Sequence, residues 1–183
     1  MGWITYGTVG LALALSLTEA VPALAQAAKN SRASVAVIGF DYSDSSGEVE
    51  DQSAEHAERV AAFRRQLRDG IIASERFEAV ELPCVETSGC TRGSARADHL
   101  LKEAREAGAD YLVFGSIHKM STLVGSGRVD VLDVERDRIL IDRILSFRGD
   151  NDDAFARAAA FAAKDIVKTL AEGETARQRE AGR

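Results

Sequence analysis

The sequence predicts an α/β fold: a single domain in the order β-α-β-α-β-β-β-α, with a mixed sheet packed by helices. Three observations lead there. Tyr111, Leu112, Val113 and Phe114 are four large apolar residues in a row, placed after a helical pattern that Gly108 can end in the left-handed conformation. A strand buried on both faces reads this way, because successive side chains point to opposite faces. Helical stripes separate the first three strand-like segments, and strand–helix–strand connections make parallel neighbours. The last two strand-like segments are joined by Glu135, Arg136 and Asp137 alone, which sets them antiparallel.

The elements follow in order. Residues 1–25 read as a signal peptide. The apolar run of residues 9–17, VGLALALSL, is followed by Pro22 and by small Ala23 and Ala25 before a cleavage site, although the amino-terminal region has no Lys or Arg. That run falls short of the roughly 20 residues a spanning helix needs, and Glu19 interrupts it, so no stable membrane span is expected after cleavage. Residues 26–33 form a short leader, and the single domain occupies residues 34–171. Its first strand is the β-branched run SVAVIGF at 34–40, followed by a solvated loop at 41–47. Residues 51–73 carry Ala57, Val60, Phe63, Leu67 and Ile71 at steps of three and four, one apolar face of a helix. His56 reads as solvated at its start, and Arg64, Arg65 and Arg68 as a solvated face toward its end, complementing the helix dipole.

FEAVEL at 77–82 alternates as a second strand. Residues 95–107 form a second helix on Ala97, Leu100, Leu101 and Ala104, and the central strand follows. Gly125, Ser126 and Gly127 read as a turn or flexible loop. Residues 128–134 and 138–147 form the hairpin. Asp150 fits as the cap of a last helix that carries Phe155, Ala158, Ala159, Ala162, Ile166 and Leu170 on one side. Residues 172–183, nearly free of apolar residues, are expected to be a disordered tail.

Composition narrows function. The chain has 183 residues and a net charge of −6, so it lacks the basic surface that non-specific nucleic-acid binding requires. Cys84 and Cys90 are the only cysteines, and in an oxidising compartment their spacing suggests a disulfide in a loop. Free thiols, a redox pair or a metal site are the alternatives; a zinc site would need about four ligands, and no His lies near in sequence. No metal or cofactor is expected. Phosphate-loop, dinucleotide, nucleophile-elbow and zinc-protease motifs are absent.

The candidate site residues are polar positions at strand and helix ends. If the central strand stays regular, His118 and Met120 share the face of Leu112 and Phe114, while Lys119 and Ser121 share the other. His118 is the best single candidate for chemistry, since α/β folds build sites at strand ends. Arg148 stands where the last strand hands over to its helix, and a buried Arg148 would pair with Asp150 or Asp152.

VAVIGF near the mature start, GADYLVFGSI in the middle, and a hairpin followed by a terminal helix resemble the amino-terminal domain of TolB and CsgG-type envelope proteins. GSIHKMSTL and SFRGDNDDAFARA resemble a family of secreted proteobacterial proteins of unknown function. That resemblance marks His118, Lys119, Ser121, Arg148, Asp150 and Asp152 as the matching polar positions and implies no activity for them. The expected function is that of a non-enzymatic periplasmic or secreted accessory protein of the cell envelope, with an envelope protein as partner. The alternative is a periplasmic small-molecule-binding or hydrolytic protein that uses the region of His118 and Arg148.

Overall fold

The computed structural model describes residues 32–181 together with Met1; the expected signal peptide, its expected cleavage site and the expected leader up to Ser31 lie outside the described residues. The elements are β1 (Ala33–Asp44), α1 (Ser53–Ile72), β2 (Phe77–Ala79), α2 (Pro83–Ser88), α3 (Ala97–Glu106), β3 (Tyr111–Lys119), β4 (Val124–Asp133), β5 (Arg138–Arg148) and α4 (Asp152–Ala181). The five strands form one sheet in the order β2-β1-β3-β4-β5. β1 runs parallel to both β2 and β3, and β3, β4 and β5 form an antiparallel meander. The mixed sheet expected from the sequence is the one observed. It follows from the connections: helical crossovers give parallel pairs, and short turns give antiparallel ones.

The alternation of β3 divides the molecule into layers. Tyr111, Val113 and Ile117 face α1 and α4, where they join Val35, Val37, Phe63, Leu67, Ile71, Phe155 and Ile166 in the larger core. Leu112 and Phe114 face the other way, toward Leu100, Ala104, Leu82 and the two cysteines. Full burial of a side chain such as Leu67 or Ile71 contributes about 1.5–3 kcal/mol. α1 and α4 pack against each other as well as on the sheet. Gly70 sits at their closest approach, where an added Cβ would stand 2.7 Å from that of Ala163. The close contact explains a glycine inside a helix, which otherwise costs about 1 kcal/mol relative to alanine.

Four expectations change. Gly125 and Gly127 lie on β4 rather than in a turn, paired with Phe147 and Leu145 of β5. The ring of Phe147 lies over Gly125, with its edge 2.6 Å from where a Cβ would be, so the glycine marks a close approach within a strand. The cysteine loop contains α2, which Pro83 opens and Gly89 closes in the left-handed conformation. Asn151, not Asp150, caps α4: its side-chain oxygen accepts a hydrogen bond from the Ala154 amide at 2.9 Å. Finally, α4 continues through Ala181 instead of ending in a disordered tail near residue 171. Ala, Glu, Gln and Arg are strong helix formers, so the polarity of that stretch reports a missing buried face and not a missing helix. Tyr111 donates a hydrogen bond to Glu174 at 3.3 Å and holds this extension to the sheet.

Candidate functional site

The end of β3 and the start of α4 lie together, and a buried lysine holds them. Lys119 is the last residue of β3 and points to the α1/α4 face, where it is only 4% exposed. Its ammonium pairs with Asp150 at 2.8 Å, with Glu48, and with Asp44 at 3.7 Å, and donates to Gln52 at 2.8 Å. Asp150 also accepts from His56 at 2.8 Å and from Arg59 at 3.3 Å, and Arg59 reaches Asp152 at 3.0 Å. The cluster therefore draws on the end of β1, the loop after it, the first turns of α1, the end of β3 and the approach to α4. Charged groups this deep are tolerated because each has an opposite partner and fixed hydrogen bonds.

The electrostatics agree with that geometry. Burial works against the charge of Asp150, yet the hydrogen bonds and charges of Lys119 and His56 outweigh it and hold the carboxyl below its ordinary range. Desolvation likewise works against the Lys119 ammonium, and Asp150 and Glu48 more than offset it, so its pKa lies above the usual lysine value. Tyr42 stacks on His56 with ring centroids 5.0 Å apart. Its hydroxyl is buried without a hydrogen-bond partner, and burial together with the charges of Asp44 and Asp150 pushes the phenol up to about 12.

Of the six residues singled out from the sequence, Lys119, Asp150 and Asp152 belong to this cluster. His118 lies on the opposite sheet face, as its parity required, with Ser43 2.8 Å from Nδ1 and Ser45 3.0 Å from Nε2. Ser121 sits in the β3–β4 turn, where its hydroxyl accepts from the Leu123 amide at 3.3 Å. Arg148 is exposed, and among the described residues its guanidinium meets neither Asp150 nor Asp152. The expected pairing of Arg148 with Asp150 or Asp152 gives way to Lys119–Asp150, because β5 ends at an edge of the sheet while β3 ends inside it.

Three residues were misread. His56 is 1% exposed, not solvated; it precedes Val60 by four residues and so begins the buried stripe His56, Val60, Phe63, Leu67 and Ile71, while Ala57 is exposed. Arg64 and Arg68 are likewise no free solvated face. They pair with Glu81 at 2.5 and 2.6 Å, and Arg64 also donates to the carbonyl of Val37 at 2.7 Å, which fixes α1 to the β1–β2 side of the sheet. Cys84 and Cys90 are joined in a disulfide, with Cα atoms 5.5 Å apart. Among the described residues no group of His, Cys, Asp and Glu is arranged to hold a metal ion.

A second polar group lies on the open sheet face. Arg128 pairs with Asp142 at 2.6 Å and Asp130 at 3.4 Å across β4 and β5. At the free edge of the sheet, residues 144–148 of β5 and Ala154, Arg157, Ala158 and Phe161 of α4 enclose a groove of about 470 Å³.

Residues 33–167 match the family DUF3280, described as a protein of unknown function (DUF2380). The chain belongs to this family. No curated protein matches it. Among solved structures, it is similar to the hypothetical protein CT253 from Chlamydia trachomatis, at 13% identity and a TM-score of 0.52, covering 77% of this chain and 99% of that one. It is also similar to TolB from Acinetobacter baumannii (14% identity, TM-score 0.49), over 77% of this chain, and spans only 29% of TolB. The LpoB C-terminal domain from Escherichia coli gives 13% identity and a TM-score of 0.45, over 62% of this chain and 81% of that domain. At these identities the likeness is one of fold, and CT253 carries it.

Proposed function

We propose that this chain is a non-catalytic accessory protein of the bacterial envelope that works by binding a protein partner. The observation that carries the reading is the free edge of the sheet: β5, eleven residues long, is the last strand, pairs among the described residues only with β4, and borders the groove beside α4. A strand edge offers a row of backbone donors and acceptors, and an extended segment can add to it as a further strand. The charged residues at the end of β3 support the same reading in a different way. Lys119, Asp150, His56 and Arg59 are spent on one another, and their arrangement ties elements together.

The envelope assignment rests on two features. One is the apolar amino-terminal run with its small-residue cleavage pattern. The other is the Cys84–Cys90 bond, which belongs in an oxidising compartment. Among the described residues no helix is long and apolar enough to cross a membrane. Formaldehyde crosslinking in intact cells, followed by isolation of the chain, tests the proposal. A discrete adduct containing another envelope protein is expected. A chain recovered only as itself under conditions that crosslink known envelope complexes refutes it.

A further inference from the structure

Two exposed apolar side chains flank the groove beside the sheet edge: Ile144 of β5 is 76% exposed and Phe161 of α4 is 61% exposed. On α4, Ala154, Arg157, Ala158 and Phe161 follow the three- and four-residue steps of one helical stripe, so the groove has a continuous wall. Small Ala154 and Ala158 keep it open, and Phe147, stacked edge-on against Phe155 at 5.2 Å, closes its base. The charges are unusual for this protein. The chain is acidic overall, at −6, yet the groove carries Arg148 on one side and Arg157 on the other. Both are exposed, and among the described residues neither has an acidic partner, whereas Arg143 nearby is paired with Asp165 at 2.8 Å.

We infer that this groove receives an extended, acidic segment of a partner protein, laid alongside β5 as an added strand with its carboxylates between Arg148 and Arg157. The inference rests on the partner-binding reading above and names the chemistry of that partner. Main-chain pairing along the edge supplies affinity, and the apolar shoulders and arginines supply selection. Arg is suited to this, since its planar fork holds a carboxylate through two parallel hydrogen bonds. A second copy of this chain fits poorly. Pairing β5 antiparallel with itself about its midpoint sets Arg138 against Arg148 and Arg143 against Arg143, and like charges directly opposite destabilise a strand pair. The chain's own leader fits no better, because residues 26–33 contain Lys29 and Arg32 and no acid.

The test places the photocrosslinker benzoylphenylalanine in place of Ile144 or Phe161, and at Ser126 on the open sheet face as a comparison, in the full chain expressed in its own cells. Crosslinked peptides are sequenced by mass spectrometry. Adducts from Ile144 and Phe161 are expected on a segment of another protein with an excess of Asp and Glu. Changing Arg148→Glu together with Arg157→Glu should lower their yield by roughly tenfold, with Arg148→Lys and Arg157→Lys restoring much of it, at an unchanged melting temperature. Adducts to a second copy, to lipid or to a segment without excess acid overturn the inference, as does a yield indifferent to charge reversal. Adducts at Ser126 alone also overturn it while leaving the partner-binding reading standing. Silence at all three positions overturns both.

Discussion

Asp150→Ala removes the acceptor on which three donors converge. The magnitude follows from what each donor has left. Lys119 keeps Glu48 and Gln52, and Arg59 keeps Asp152, but Nε2 of His56 loses the carboxylate it bonds at 2.8 Å. Removing one partner of a buried pair costs about 3–5 kcal/mol. With two of the three donors retaining an acceptor, and the Asp150 side chain 15% exposed, the lower end applies, about 3 kcal/mol. For a domain of this size that is a fall in Tm of roughly 6–12 °C. Urea or thermal unfolding followed by circular dichroism at pH 7 measures it. The pH dependence supplies a second check. The folded-state pKa of Asp150 is held below the ordinary aspartate value of 3.8, so its contribution is present above about 3.8 and is lost as pH falls through the lower folded value. The gap between wild type and Asp150→Ala should therefore close as the pH is taken below that value. A variant within about 1 kcal/mol of wild type at pH 7, where ordinary substitutions already lie, or a gap that persists at low pH, would show that the cluster does not stabilise the fold as described.

Tyr42→Phe should be neutral or slightly stabilising at pH 7, because the hydroxyl it removes is buried without a partner. Above pH 10 the variant should gain on wild type, since an unfolded phenol ionises near 10 while the folded one waits until about 12; a variant more than about 1 kcal/mol less stable at pH 7 would contradict this. Peptide mapping without reductant should recover one linked pair containing Cys84 and Cys90, and reduction should lower stability by roughly 2–2.5 kcal/mol, as expected for so short a loop. Alkylation of both thiols in the folded, unreduced protein would refute the first part. Amino-terminal sequencing of the exported protein should begin at Gln26, after Ala25, with cleavage after Ala27 as the second choice, and an intact Met1 would refute export by this route.

Periodicity made most of the fold readable. The four-residue apolar run of β3 announced a strand buried on both sides, and the parity of two along it placed Lys119 and His118 on opposite faces before any coordinates. What stayed hidden were contacts whose partners lie far apart in the chain. Nothing local to Asp150 distinguishes a helix cap from an acceptor for Lys119, and its neighbour Asn151 could fill the cap equally well. His56 was legible in principle, four residues before Val60, but a polar residue on an apolar stripe reads as the end of the stripe until its partner is seen. The exchange of Arg148 for Lys119 has a similar cause. Sequence shows where each strand ends, while strand order, which fixes the ends that are buried, comes from long-range pairing.

The position of β1 has a consequence for how the chain reaches this state. The first strand to be made is not at an edge: it lies between β2 and β3, and its neighbour across Ser34 is Asp110, 76 residues later. The β3–β5 meander can close through short turns as soon as it exists, whereas β1 must wait for chain synthesised long after it. Until then SVAVIGF is a bare, β-branched, uncharged segment with both edges open, the kind that associates with its like in other unfinished chains. Shielding of residues 34–40 until β3 is made, more than the stability of the finished sheet, should set how much of this protein folds.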